Sequence, residues 1–265
     1  MGKYTYHFLD CEITMTLPPL SIICPTYGRT ACLSEVVESY IRSAYDGEME
    51  LLLLNDVKEQ FIIAEGIAGR PITVVNQESR SPSLGDKRND TVKNAKHEHF
   101  LFVDDDDIFL PWYAEDMMRS FLAWEKPTYP HAYYHADGKD GSLKITYKKQ
   151  THPASYLATK TQFDKVEGYP FVYAGGDQLI RSKLFNMYKS HHNKHPFPNY
   201  RAGYIYRWGN GTYHISGSSD HASAWDRTRD SLEKRLESGV EPSGVVRVKP
   251  AWKNPYRELI KSIPT

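Results

Sequence analysis

The sequence predicts an α/β protein built on an open, mostly parallel sheet with helices on both faces. Three observations carry that expectation. Apolar runs of strand length recur along the first half, at LSIICP, MELLLL, ITVVN and HFLFV. They are nearly continuous rather than alternating, the pattern of strands buried on both faces. Segments with helical periodicity fall between several of them, as in a βαβ succession.

Taken in order, the first 17 residues alternate enough for a short hairpin or edge strand, closed by Pro18-Pro19. Residues 20–25 form the first buried strand, β-branched, apolar and ended by proline. From Thr30, apolar side chains at Leu33, Val36, Val37, Tyr40 and Ile41 mark one helix face. Residues 49–54 are the second strand, ending at Asn55-Asp56, and a short helical stretch is expected before the third strand at 72–76. SLGDKRNDTVKNAK reads as a helix capped by Ser83. Residues 99–103 are the fourth strand, and Pro111 suits the opening of a helix through PWYAEDMMRSFLAWEK. Beyond it the pattern loosens: strands are expected at SLKITYKKQ, ASYLAT, GYIYRWG and TYHIS, and helices at DQLIRSKLFNMYKS and HASAWDRTRDSLEKRLES.

No internal repeat or low-complexity linker interrupts the 265 residues, so one domain is expected, with 20–111 and 112–265 as its two halves. No apolar run reaches the ~18 residues of a membrane span, and the N-terminus lacks a signal-peptide core. The three cysteines, Cys11, Cys24 and Cys32, have neither CxxC spacing nor even number. They fit a reducing, cytoplasmic setting. A net charge of zero hides an asymmetry: residues 1–138 carry −10, 139–207 carry +8 and 208–265 carry +2. The acidic half suggests a cation site, and the basic segment suits either an anionic partner or a solvated surface.

The fourth strand runs into Asp104, Asp105, Asp106 and Asp107, with no basic residue beside them in the chain. In an open parallel sheet, ligands collect where strands end. Thr26 and Tyr27 leave the first strand, and Asp56 the second, at the same edge. Clustered carboxylates at such an edge suit a hard divalent cation, Mg²⁺ or Mn²⁺, which can bridge a diphosphate.

VDDDDIFLP resembles the metal motif of family 2 glycosyltransferases with the GT-A fold, apolar-D-x-D-D-x-x-x-P. SIICPTYGR, LLLLNDVKE and LGDKRNDTVKNA are similar to the family's nucleotide-binding loop, second strand and G-x-x-R-N helix, in the family's order across residues 20–111. The resemblance implies transfer from a nucleotide-diphosphate sugar, most commonly a UDP-sugar, with a divalent metal. It implies that Pro25, Thr26 and Tyr27 line the base, that Asp56 hydrogen-bonds it, and that Arg29 and Arg88 lie near base or phosphates. Asp104 would reach the ribose, with Asp105 beside it, and Asp106 would hold the metal. For Asp105 and Asp107 a solvent-facing or turn-capping role is the alternative. VEGYPFVYAGGDQLIRSKL is similar to the segment that supplies the catalytic base. Asp177 stands at the matching place, but Gly176 replaces the usual glutamate, and capping the following helix is the alternative role for Asp177. His214 resembles in place a C-terminal histidine that joins the metal in many GT-A enzymes. The acceptor is expected to be anionic, a modified nucleic acid or a phosphate-bearing glycan or lipid. Nucleotidyl transfer to a sugar phosphate, or a non-catalytic binding module, are the competing readings.

Overall fold

The computed structural model describes residues 4–8, 11–27, 29–67, 69–137, 143–172, 175–189, 201–208 and 244–263. The expected helix within 221–238, the strand TYHIS and His214 lie outside these residues.

The central sheet has five strands in the order β11-β7-β3-β4-β6. β3 (Leu20–Thr26) and β4 (Met49–Asn55) are buried along their whole length, as their unbroken apolar sequences require. β3 pairs in parallel with β4 on one side and with β7 (His99–Phe102) on the other; β6 (Ile72–Asn76) extends the sheet beyond β4. The chain therefore reverses direction across the sheet at β3. The crevice at such a switch point opens where β3 and β7 end, at Thr26 and at the aspartate run. β11 (Tyr156–Thr159) closes the edge antiparallel to β7.

Helices cover both faces. α1 (Thr30–Ile41) packs Leu33, Val36, Val37 and Tyr40 into one core with α3 (Tyr113–Trp124). α2 (Leu84–Asn94) and α5 (Gly176–Tyr188) lie on the opposite core through Val92, Ile180 and Leu184. Ser83 is the N-cap of α2, its hydroxyl accepting from the Asp86 amide at 3.0 Å. α4 (Lys160–Lys165), which the sequence reading missed, carries a full capping box from Thr159 and Gln162.

A four-stranded sheet in the order β10-β9-β12-β8 makes the second layer: β8 (Ile108–Phe109), β9 (Tyr133–Asp137), β10 (Lys144–Lys148) and β12 (Tyr204–Trp208). The N-terminal hairpin forms as expected from β1 (Tyr4–Phe8) and β2 (Cys11–Met15). Two local expectations fail. The stretch after β4 is a strand, β5 (Gln60–Ala64), in parallel with β13 (Gly244–Val248). Its Gln-Phe-Ile-Ile run alternates exposed Phe61 with buried Ile62, a period of two rather than of a helix. Pro111 stands before α3 instead of opening it, because Ile108 and Phe109 are first drawn into pairing with β12. A last helix, α6 (Tyr256–Lys261), packs Tyr256 and Ile260 against the second sheet. Among the described residues no helix is long and apolar enough to cross a membrane.

Candidate active site

The four aspartates, unneutralised in sequence, are met in space by three arginines from distant segments. Arg29, two residues past the Tyr27 loop position, grips Asp105 with Nε at 3.0 Å and with Nη2, and reaches Asp106 Oδ2 with Nη1 at 2.9 Å. The Thr26 hydroxyl donates to Asp105 Oδ2 at 2.6 Å. A two-pronged guanidinium–carboxylate pair of this kind is strong and orients both partners. Asp105 is thus fully buried, as is Asp107. The solvent-facing alternative for these two residues is incorrect, because the run turns inward after β7 instead of looping into water.

Arg88 supplies the second cation. Gly85 lets α2 approach the 168–172 segment so closely that a Cβ there would sit 1.9 Å from the Pro170 carbonyl oxygen. That contact sets Arg88 beside the start of α5, where Gly175 takes a left-handed conformation (φ 72°) as N-cap. Arg88 Nη1 donates to Asp177 and Nη2 to Asp104 at 3.4 Å, and its guanidinium lies over the rings of Phe102 and Tyr169. Asp177 is in the first turn of α5 and is not its N-cap, and Arg88 leaves its helix neighbours for these two distant carboxylates.

Asp107 is held by a third set. Tyr204 donates its hydroxyl to one oxygen, and the Arg207 amide donates to the other at 2.8 Å. Arg207 also binds the Asp106 carbonyl through Nε and Glu35 on α1 through Nη1. Glu35 is completed by the Tyr256 hydroxyl at 2.9 Å and the Lys253 amide at 3.0 Å. Burial, with Asp107 beside it, pushes Tyr204 well above the ordinary tyrosine value, so the hydroxyl stays a donor. Replacing Arg207 by alanine would strand buried Glu35 and cost about 3–5 kcal/mol of unfolding free energy. Pairing Arg207→Met with Glu35→Leu is expected to recover most of that loss. It should not restore the hold on the Asp106 carbonyl, so any nucleotide binding that depends on the aspartate run should stay weakened. Chemical denaturation beside nucleotide titration checks both arms.

Electrostatics follow from this packing. Burial pushes Asp104, Asp105 and Asp107 above the usual carboxylate range; Arg88 opposes this at Asp104, Arg29 at Asp105, and the Tyr204 and Arg207 donors at Asp107. Burial works against the charge on Arg29 and Arg88, but the neighbouring carboxylates outweigh it and raise both above the ordinary arginine value.

Asp56 lies at the end of β4, buried, with Lys87 donating to Oδ1 and the Ser81 amide to Oδ2 at 3.2 Å. Lys87 also donates to the Thr26 carbonyl, tying this acid to the β3 loop. Tyr27 is half-buried with the Arg80 guanidinium 4.0 Å over its ring, and Pro25 is buried within β3 opposite Leu54. The expected residues from β3, β4, α2, the aspartate run and α5 thus converge along one sheet edge; His214 lies outside the described residues. Sequence reading missed Lys87, Glu35, Tyr204 and Arg207. Lys87 stands beside Arg88 in a weakly apolar helix that gives no local sign of its burial, and the Glu35–Arg207 pair spans a separation no local pattern reports.

One oxygen from each of Asp104, Asp106 and Asp107 lies within 4.8 Å of the others. An all-carboxylate set fits Mg²⁺ or Mn²⁺. Asp107 already engages both oxygens with protein donors, which suits it to support the set more than to lead it.

A sequence model described as "Glycosyl transferase family 2" matches residues 21–188. The chain belongs to glycosyltransferase family 2. An uncharacterized glycosyltransferase of Haemophilus influenzae is 25% identical over 164 residues, 61% of this chain and 54% of that protein. The uncharacterized glycosyltransferase YwdF of Bacillus subtilis is 33% identical over 101 residues, 38% of this chain and 37% of YwdF. The chain therefore spans about half or less of the curated relatives it matches. The crystal structure of S. aureus TarS 1-349 superposes with a TM-score of 0.51 at 17% identity, covering 71% of this chain and 60% of that one. The expected GT-A fold is borne out. In this family 2 chain, the match runs from β3 through α5 and so includes the aspartate run and Asp177.

Proposed function

We propose that the chain is a metal-dependent glycosyltransferase that moves a sugar from a nucleotide-diphosphate donor, a UDP-sugar, to an acceptor hydroxyl with inversion. The observation that carries this is Arg88, which joins Asp104 of the aspartate run to Asp177 on α5. A donor-side acid and a candidate base from segments 73 residues apart are thereby held at one point. Family membership turns the choice away from the nucleotidyltransferase alternative. TarS has been crystallised with UDP and with UDP-GlcNAc, which supports a uridine donor.

In this reading Tyr27 and Asp56 bind the base, with Lys87 fixing Asp56, and Pro25 and Thr26 shape the loop. Asp105 and Arg29 lock that loop to the aspartate run, and Asp104 takes the ribose. Asp106, flanked by Asp104, would hold Mn²⁺ or Mg²⁺, with His214 as a further ligand. The metal, when bound, neutralises the diphosphate leaving group. Asp177 accepts the proton of the acceptor hydroxyl while that oxygen bonds to the anomeric carbon and the carbon–diphosphate bond breaks. Arg88 keeps the Asp177 carboxylate aimed from α5.

Isothermal titration with UDP, GDP, TDP and CDP, in Mn²⁺ and in EDTA, tests the donor side. UDP is expected to bind at least about tenfold more tightly with Mn²⁺, a difference of ~1.4 kcal/mol. Binding of none of the four would remove the glycosyltransferase reading, and preference for another base would replace the donor.

A further inference from the structure

One face of the second sheet carries aromatic side chains beyond Tyr204, the residue that supports the aspartate run. Ile108, Tyr134, Ala136 and Ile205 pack on the α6 side. Strand alternation and register put Tyr204 and Tyr206, Tyr133 and His135, and Lys144 and Lys148 on the other. Tyr204 and Tyr133 are core, but burial runs out across the sheet: Tyr206 and His135 are half-buried, and the two lysines are exposed.

His152, from the loop after β10, lies across this face. Its ring is 4.2 Å from Tyr206 and 4.6 Å from Tyr133, and His135 stacks on Tyr206 at 5.7 Å with 24° between planes. The Ala154 amide donates to His152 Nδ1 at 3.3 Å, which places the ring proton on Nε2. The cluster is tied to both halves of the proposed chemistry. Tyr204 donates to Asp107 of the aspartate run. Arg181, four residues after Asp177 on α5, donates to the Thr151 hydroxyl at 2.9 Å, next to His152.

Half-buried imidazoles and phenols on a sheet face offer flat, electron-rich surfaces with polar edges. The C–H face of a sugar ring is complementary to such a surface. The exposed edge strand adds Lys144, opposite Asp137, and Lys148, opposite Tyr133. The edge strand carries lysines and no arginine; an ammonium is a point charge suited to phosphate, whereas planar carboxylates favour the arginine fork. Burial, with Lys148 adding to it, lowers His135 below the ordinary histidine value, so its ring is neutral and stacks as an aromatic.

We propose that this face is the acceptor platform and that its occupant is a phosphate-bearing saccharide, the ring lying on Tyr206 and His152 and the phosphate on Lys148. The inference rests on the glycosyltransferase reading and names its acceptor.

Saturation-transfer NMR and titration with glucose 6-phosphate, glucuronate, glucose and a short deoxyoligonucleotide test it on the full chain. The sugar phosphate is expected to bind best, with saturation at its ring C–H groups. His152→Ala and Tyr206→Leu should each weaken it about fivefold. Lys148→Glu, at an exposed position where folding is safe, should erase the preference over glucose. Equal binding of glucuronate, stronger binding of the oligonucleotide, or unchanged affinity in all three variants would overturn the platform. UDP titration of the same samples separates the two ideas: wild-type UDP binding without sugar-phosphate binding sinks the platform alone.

Discussion

Asp177→Asn is expected to lower donor turnover by about 10³-fold while leaving UDP binding in Mn²⁺ within about twofold, the loss general-base catalysis sustains when its carboxylate is removed. Asparagine keeps the shape of the side chain and cannot accept the proton. Its position is secured by backbone, since Gly175 is the N-cap of α5 and Asp177 lies in the first turn. The substitution turns one charged partner of Arg88 into a neutral acceptor, but Asp104 remains at 3.4 Å, so the guanidinium keeps a carboxylate. Losing one negative charge from a first helical turn costs about 0.3–1 kcal/mol, too little to unfold the chain. Release of UDP from a panel of UDP-sugars, with water as acceptor, gives the rate without knowledge of the natural acceptor. Turnover equal to wild type would remove Asp177 from the chemistry. Loss of UDP binding together with a lowered melting temperature would make it a structural partner of Arg88.

The first half of the fold was legible because its signals are local and redundant. β3, β4, β6 and β7 are unbroken apolar runs, α1 shows a clear stripe, and Ser83 caps α2 where the sequence placed it. The candidate site was legible for the same reason: strands that end together bring Thr26, Asp56 and Asp104 together whatever the loops do. What escaped is non-local. β8 has two residues and exists through pairing with β12, nearly a hundred positions away. β5 has no strand signal of its own because its partner β13 lies at the other end of the chain. Glu35 falls off the apolar stripe of α1, yet it is fully buried because Arg207 and Tyr256 close over that flank. The reason four aspartates tolerate one another was equally hidden: each cation that holds them comes from a different element.

Asp106→Ala is expected to abolish metal-dependent donor binding and to reduce turnover by at least about 10²–10³-fold, the scale seen when one group stabilising developing charge is removed. The more telling outcome is on stability. Asp104, Asp106 and Asp107 bring three carboxylates within 4.8 Å, and like charges this close destabilise the fold that holds them. Arg29 would keep Asp105 after the substitution, so no cation is stranded. In EDTA the variant should therefore melt at the same temperature as wild type or above it. Adding Mn²⁺ with UDP should raise the wild-type melting temperature by mass action and leave the variant where it was. A variant that melts well below wild type in EDTA would show that Asp106 is there to anchor Arg29. A variant that still gains stability from Mn²⁺ would move the metal to Asp104 and Asp107. The paired result, repulsion relieved and ligand response lost, is what a site that trades stability for cation binding requires.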